Sequence, residues 1–255
     1  MKFSIYYLAV IIIFSLFSCS EEKNDLFYLK LKGKVVSYSY SSYESIEKFG
    51  KFEKGKLQDK YIYIFNDQGN IMENSSFNEE GNLTRKTISM YDEKGNKIEE
   101  KNYNSDGTLS GQNAYKYKND DNGNRIKEEE SFNSENKLQG KTIYKYDSKD
   151  DVIETNNYNA DGSLDMRYIF KYDIKGNKIE EKNYDAEGKL FGKDTYKYDD
   201  EGNVIEITSY YGDGRVLNKG TFTCDKHDTV GNCTSEVFFS NGKATDITES
   251  DFTYK

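Results

Sequence analysis

The sequence contains no proline and no tryptophan, one histidine and three cysteines among its 255 residues. Without proline there is no collagen helix, no polyproline ligand and no stiff proline-rich linker. One histidine is too few for a histidine-rich metal site, and three cysteines are too few for a dense disulfide scaffold. Acidic residues outnumber basic ones, 45 to 36, so the formal net charge is −9. Proteins that wrap nucleic acid need a basic face, so we expect no nucleic-acid partner. From the small numbers of histidine and cysteine we expect no metal site, and we also expect no cofactor.

Residues 1–18 have the pattern of a secretory signal peptide. Lys2 supplies the positive start, and the apolar run from Ile5 to Phe17 is shorter than the about 20 residues that a spanning helix needs. The next four residues, Leu-Phe-Ser-Cys at 16–19, resemble the lipobox of bacterial lipoproteins. That resemblance implies cleavage before Cys19, lipidation of Cys19 and a membrane as partner. The alternative is an ordinary signal peptide in which Cys19 is incidental.

Residues 19–28 are expected to form a lipid-anchored acidic tether. Residues 20–25 are polar and include no apolar side chain, a composition typical of a solvated segment. The stretch resembles the acidic signal that follows the lipidated cysteine in surface lipoproteins of the Bacteroidetes lineage. This implies an outer-membrane lipoprotein exposed at the cell surface, with residues 29–255 as its folded domain.

The domain repeats with a period of about 26 residues. One recurring Gly-Asn turn begins at Gly69, Gly95, Gly123, Gly176, Gly202 and Gly231, and Asp150-Asp151 fills the missing place in the series. A second turn follows each of these, with an aromatic residue before it and an apolar residue after it. Its positions are Gly81, Gly107, Asn136, Gly162, Gly188, Gly214 and Gly242. Glycine, asparagine and aspartate tolerate the positive φ of hairpin connections, so each repeat has two hairpin turns.

The segments between turns are rich in tyrosine, isoleucine, threonine and alternating charges, which is strand composition. We therefore predict an all-β antiparallel meander of roughly 14–17 short strands. Such a sheet is expected to be elongated and twisted or coiled. Ile179 and Tyr184 are five positions apart and do not share a face of a regular strand. Either a β-bulge intervenes or both faces carry apolar rows.

The phrases Tyr-Asp-Glu-Lys-Gly-Asn at 91–96, Tyr-Asp-Ile-Lys-Gly-Asn at 172–177 and Tyr-Asp-Asp-Glu-Gly-Asn at 198–203 resemble YD repeats. These are the tyrosine–aspartate modules of Rhs-type bacterial proteins. The resemblance covers residues 61–240 and is strongest to short YD-repeat lipoproteins of Bacteroidetes. In that group the last Gly-Asn turn is followed by tryptophan, whereas here Cys233 follows Gly231-Asn232. The large members of the family enclose a toxin in a β-shell; no activity is established for the short lipoproteins.

Cys224 and Cys233 remain if Cys19 is lipidated. The envelope is oxidising and the two cysteines flank a predicted turn, so a disulfide is expected. Two reduced strand cysteines, or a metal pair with His227, are the alternatives.

Catalytic chemistry has weak support in the sequence. Paired carboxylates such as those at 99–100, 128–130 and 180–181 recur with the repeat and alternate with lysine, which is typical of a solvated sheet face. His227 is interpreted as a surface-loop residue. The Asn-Asp-Gly segments at 102–107 and 157–162 are similar to the start of a calcium loop. The position that needs a bidentate glutamate is Asn113 in the first and Tyr168 in the second. Their Asn and Asp residues are also those that tight turns prefer.

The sequence therefore favours a non-enzymatic, lipid-anchored surface protein whose repeat sheet is a binding or structural module. A glycan or an envelope protein is the candidate partner. A hydrolase acting on extracellular glycan is the first alternative, with Asp120, Asp121 and Glu128 as candidates because residues 118–123 carry an insertion. An immunity-like partner of a toxin is the second.

Overall fold

A computed structural model describes residues 23–255, which form one short helix and sixteen strands. No helix within this range is long and apolar enough to cross a membrane. The elements are α1 (Asp25–Tyr28), β1 (Val35–Lys48), β2 (Lys51–Phe65), β3 (Ile71–Phe77), β4 (Leu83–Tyr91), β5 (Lys97–Asn104), β6 (Leu109–Asn119), β7 (Arg125–Asn133), β8 (Leu138–Tyr146), β9 (Val152–Asn159), β10 (Leu164–Tyr172), β11 (Lys178–Tyr184), β12 (Leu190–Tyr198), β13 (Val204–Tyr211), β14 (Val216–His227), β15 (Cys233–Ser240) and β16 (Lys243–Tyr254).

The strands form a closed barrel, which corrects the prediction of an elongated, twisted or coiled sheet. Each strand pairs antiparallel with its neighbours in sequence, and β1 pairs with β16, where Tyr38 lies opposite Phe252. Closure removes the two unpaired edges that an open meander would expose. β1 lies before the 26-residue repeat, so the seam that closes the sheet has no periodic signal in the sequence.

The Gly-Asn turns share one geometry, and all of them lie at the same end of the barrel. In the turn 173–177, the Asp173 amide donates to the Asn177 carbonyl and the Gly176 amide donates to the Asp173 carbonyl. The fourth turn residue has positive φ throughout, including Asp150 at 62° in place of glycine. We call these the YD turns and their end of the barrel the YD end. They span 66–70, 92–96, 120–124, 147–151, 173–177, 199–203 and 228–232.

A β-bulge follows nearly every turn. Tyr172 lies opposite Lys178 and Lys171 lies opposite Glu180, so Ile179 is the extra residue. The bulge alternative raised for Ile179 and Tyr184 is therefore confirmed. Bulges increase local twist, and their repetition around the sheet helps it to curl until its edges meet. β7 is the exception after a YD turn, because its pairing with β6 has no register shift.

The outer face of the barrel carries a belt of ion pairs. Glu206 lies between Lys197 and Lys219 at 2.9 Å from each ammonium, and Glu154 lies between Lys145 and Arg167 in the same way. Hydrogen bonds from Lys219 and Lys197 lower the pKa of Glu206 to about 2. The other members of the belt are Glu73, Glu99, Glu128, Glu130 and Glu180.

The tip of the β1–β2 hairpin folds back over β15 and β16. The Phe52 ring meets the Phe239 ring edge to face at 5.4 Å, and Lys54 pairs with Glu249 at 2.6 Å. Val237 and Ile247, on the same faces of β15 and β16, are among the most buried apolar residues. Three other described apolar residues are buried to a similar degree and lie in the wall toward the YD end. They are Val35, Phe65 and Tyr146.

Candidate functional site

The amino-terminal segment 23–34 crosses the YD end, and we call it the cap. It begins at Lys23, whose ammonium pairs with Asp151 at 2.5 Å. Asn24 then caps α1 by accepting a hydrogen bond from the Phe27 amide. The Leu26 amide donates to the Gly69 carbonyl. A side chain at Gly69 would collide with Asn24, since a Cβ there would lie 2.6 Å from the Asn24 amide nitrogen. The cap is therefore fitted to this turn.

The second half of the cap is held by asparagines of the later YD turns. The Lys30 ammonium donates to Asn177 Oδ1 at 3.3 Å. Asn232, buried in the wall, accepts from the Lys32 amide at 2.7 Å and donates to the Lys32 carbonyl at 2.9 Å. The Lys32 ammonium reaches Glu201 at 2.7 Å. The cap thus joins turns that are far apart along the chain.

These contacts correct the interpretation of residues 19–28 as a solvated tether. Residues 23–28 are the first half of the cap and bond to the barrel. Leu26 and Phe27 lie beyond the polar run that suggested a tether, and the sequence gives no period by which to detect their contacts. Residues 19–22, and with them Cys19 and the signal segment 1–18, lie outside the described residues.

A cavity of about 980 Å³ lies between the cap and the barrel wall. The cap closes it with residues 27–32, and the wall contributes Tyr38, Phe222 and Phe252. A barrel of sixteen strands encloses more space than its inward side chains fill. Aromatic rings with a few polar groups are the usual lining of a small-molecule site. The cavity is therefore the candidate functional site.

The aromatic part of the wall is a stack of rings on adjacent strands. Tyr38 stacks on Phe252 at 5.0 Å and on Tyr63 at 5.8 Å, and Tyr40 stacks on Tyr61 at 5.0 Å. Burial raises the pKa of Tyr38, Tyr40 and Tyr63, so these phenols stay protonated and act as neutral surfaces. They hold the seam between β16, β1 and β2 together on the inner side.

Glu236 lies in the cavity wall, and its carboxylate makes no hydrogen bond or ion pair with any side chain or amide of residues 23–255. Its strand neighbours are Cys224 and Thr248, and the cavity lining includes all three. Burial raises the pKa of the Glu236 carboxyl to about 7. Tyr38 lines the same cavity, and after burial the negative charge of Glu236 adds to the rise in the pKa of Tyr38. Glu236 is thus a solitary acid on an aromatic wall.

Cys224 and Cys233 are joined in a disulfide, with their Cα atoms 6.0 Å apart. The disulfide links β14 to β15 and lines the cavity together with His227. His227 Nδ1 lies 3.8 Å from the Cys224 sulfur, and the histidine is exposed. No three His, Cys, Asp or Glu side chains between residues 23 and 255 come together as a metal site.

The carboxylates considered for catalysis are spread over different surfaces. Asp120 accepts the amides of Asn122 and Asn124 and so belongs to its turn. Asp121 is exposed in the same turn. Glu128 faces outward between Lys118 and Lys141, and hydrogen bonds from these lysines lower its pKa. The three residues form no concave site.

The segments that are similar to calcium loops use their oxygens within the turn. Asp106 Oδ1 accepts hydrogen bonds from the amide and the hydroxyl of Thr108, and Asp161 accepts the same pair from Ser163. The residues are satisfied as turn residues without a ligand.

The paired glutamates were interpreted as one solvated face, and this is wrong for the second member of each pair. Glu180 faces outward and Glu181 faces inward, where Lys178 pairs with it at 2.7 Å and Tyr196 donates to it at 3.3 Å. Glu100 faces inward likewise and pairs with Lys97 at 3.0 Å. Adjacent residues of a strand point to opposite faces, so the doubling itself was the missed signal.

Sequence reasoning also missed Glu236. One signal was present, because Glu236 is the only charged residue of β15, a strand that otherwise reads Cys-Thr-Ser before it and Val-Phe-Phe-Ser after it. β3, β9 and β13 also carry a single glutamate, but it is the third residue of the strand and faces outward, whereas Glu236 is the fourth residue of β15.

No protein-family model matches the chain. No curated protein matches it either. Among solved structures, a porin-like protein from Bacteroides uniformis is similar over 87% of this chain and 99% of its own, with 10% identity and a TM-score of 0.43. A TcdB2–TccC3 structure without its hypervariable C-terminal region matches 81% of this chain and 15% of its own, with 10% identity and a TM-score of 0.20. A LolA superfamily protein from Nitrosomonas europaea matches 92% of this chain and 90% of its own, with 8% identity and a TM-score of 0.23. At these TM-scores the likenesses carry no argument about function.

Proposed function

We propose that this protein is a lipid-anchored, non-enzymatic component of the bacterial cell envelope whose barrel binds a small ligand beneath the cap. The cavity carries this proposal, because it combines an aromatic wall, one unpaired acid and a closing segment. The outer belt of ion pairs suits water, so we place the barrel in the aqueous compartment beside the membrane that Cys19 anchors.

The YD-repeat resemblance is part of the same proposal, and the roles of the two residues in the motif support it. Tyr198 donates its hydroxyl to the Lys178 carbonyl at 2.6 Å, and Asp199 accepts the amides of Glu201 and Asn203. Both residues thus have structural work in the repeat. A motif that recurs for this reason needs no catalytic role.

Ligand binding is tested with a neutral dye, N-phenyl-1-naphthylamine, whose fluorescence rises in apolar sites. Wild-type protein lacking the signal segment should bind the dye. Thr248→Trp, which places a ring in the cavity beside Glu236, should abolish binding. Thr253→Trp is the matched control, because Thr253 is exposed on the same strand. Equal dye binding by both variants would show that the cavity is not the site.

Anchoring is tested separately with Cys19→Ser in cells. The substituted protein should leave the membrane fraction, because the thiol that receives the lipid is gone. Membrane association that is unchanged in this variant would refute the anchor.

A further inference from the structure

The inner face carries a paired pattern at the strands that follow YD turns. In some of these strands the first residue is lysine and the fourth is glutamate. In most of the others the first residue is not lysine and the fourth is not glutamate. Lys97 pairs with Glu100 and Lys178 pairs with Glu181. Where the first residue is apolar, the fourth is not acidic: Ile71 with Asn74, Val152 with Thr155, Val204 with Ile207. β7 has no bulge and differs in register, yet its Glu129 still lies beside Lys127.

Among the strands that follow a YD turn with a bulge, β15 alone breaks this rule. Glu236 occupies the fourth position, but the first position is Cys233, whose sulfur is in the disulfide. The two strands begin in equivalent register, because Cys233 lies opposite His227 as Lys178 lies opposite Tyr172. A second register shift, between Cys224 and Lys226, lies on the neighbouring strand β14 and leaves Glu236 the fourth residue of β15. The repeat has kept its inward carboxyl here and has lost the ammonium group that pairs with it in β5 and β11.

The lysines around the cavity already have partners. Lys30 donates to Asn177, Lys32 pairs with Glu201 and Lys178 pairs with Glu181. Glu236 is half-buried, and its pKa is raised by burial with no compensating contact. A buried acid without a partner is costly when it ionises. The site is therefore short of one positive charge.

We propose that the cavity binds an organic cation, with a substituted ammonium group against Glu236 and its apolar part against the rings of Tyr38, Phe222 and Phe252. The regular repeats show the same combination of groups. The Lys178 ammonium contacts Glu181 and also lies over the Tyr196 ring at 4.6 Å and the Phe170 ring at 5.4 Å. A cation over aromatic rings and beside a carboxylate is held by both attractions. The inference rests on the proposed function, since it names the ligand class of that cavity.

Calorimetry with choline and its uncharged isostere 3,3-dimethylbutan-1-ol tests the class of ligand. At about pH 8, where a carboxyl of raised pKa is ionised, wild-type protein should bind choline about tenfold more tightly or better than the alcohol. Glu236→Gln should remove that preference. Glu99→Gln is the control, because Glu99 is a carboxylate of the outer belt paired with Lys101, and it should bind like wild type.

Restoring the lysine gives an independent test. The double variant Cys224→Ser with Cys233→Lys supplies an internal ammonium to Glu236 and should lose choline binding. Cys224→Ser with Cys233→Ser lacks the disulfide equally and should keep it. A wild-type protein that does not prefer choline over the alcohol would overturn the cation class, as would equal binding by the two double variants. If the cation class is overturned but the neutral dye still binds the wild-type protein, the proposed ligand-binding function stands. If the dye does not bind either, the proposed function and the cation inference are both refuted.

Discussion

At the scale of single residues, a tyrosine shortly before four of the YD turns ties that turn to the preceding one. Its hydroxyl donates to the backbone carbonyl twenty residues earlier, at the start of the strand that follows the preceding turn. The pairs are Tyr91 with Ile71, Tyr117 with Lys97, Tyr172 with Val152 and Tyr198 with Lys178, at 2.6–3.0 Å. These hydroxyls thus connect the repeats to one another.

Tyr198→Phe removes one such bond and leaves the ring. We expect the free energy of unfolding to fall by about 1 kcal/mol, the usual net value of a hydrogen bond, and thermal unfolding to occur about 3 °C earlier. Calorimetry measures both. Tyr184→Phe is the control, since Tyr184 lies opposite Leu190 at the other end of β11 and takes no part in these bonds. Equal losses in the two variants would contradict a specific role for the bond.

Glu236 makes stability depend on pH. Its pKa is about 7 in the folded protein and 4.5 is the ordinary value, so the folded state resists ionisation more than the unfolded chain. Below about pH 4.5 the Glu236 carboxyl is protonated in both states and does not lower the free energy of unfolding. As pH rises from about 4.5 to about 7 it lowers that free energy progressively, and above about pH 7 the loss no longer grows. Glu236→Gln should be more stable than wild type at about pH 8, by on the order of 3 kcal/mol, and nearly equal at about pH 5. Urea unfolding at both pH values measures this, and a constant difference would contradict it.

At the scale of elements, the sequence predicts turns and strands well, because the residues that form each YD turn all lie within the turn itself. Asp173 accepts the amides of Lys175 and Asn177, and Gly176 supplies positive φ. These are contacts within five residues, so they appear as a motif. The face of the sheet on which a residue lies depends also on bulges such as the one at Ile179. After a bulge, the alternation of inward and outward side chains is reversed relative to the alternation expected from the sequence.

The cap could not be predicted for a different reason. Its partners are distant in sequence, 44 residues away for Asn24 with Gln68 and 200 residues away for Lys32 with Asn232, and one copy of a segment creates no period. The closing seam between β1 and β16 has the same difficulty. The candidate site is built where these two non-repeating parts meet, so sequence periodicity does not reveal it.

Asn232 is the residue on which the second half of the cap depends most. Asn232→Ala removes its hydrogen bonds to both the amide and the carbonyl of Lys32. Amide hydrogen exchange in residues 27–34 should become faster, and dye entry into the cavity should become faster as well, because the cap opens more often. Exchange in β4 to β8 should be unchanged.

A matched control for this variant exists in the neighbouring turn. Asn203 has the corresponding position, is exposed, and bonds to Asp199 of its own turn. Asn203→Ala should leave exchange in the cap unchanged. Equal acceleration in both variants would show that Asn232 acts through general stability and does not hold the cap specifically.

At the scale of the whole molecule, the proposed anchor and the cap determine which end of the barrel faces the membrane. Four residue steps separate Cys19 from Lys23, a reach of at most about 14 Å. Lys23 is bound to Asp151 in a YD turn. Strands of eight or nine residues, tilted as in other barrels, place the opposite end about 20 Å farther away. The YD end should therefore lie against the bilayer, and the opposite turns should point into solution.

Fluorescence quenching measures this orientation with the lipidated protein in vesicles that carry a nitroxide on the lipid headgroup. Lys175→Cys places a fluorophore on the YD turn 173–177, and Ala186→Cys places one on the turn between β11 and β12. Labelling is specific because Cys224 and Cys233 are in a disulfide. We expect strong quenching at position 175 and weak quenching at position 186, and none at either when Cys19→Ser is added. Stronger quenching at position 186 would mean that the barrel does not stand on its YD end, even if the anchor itself is correct.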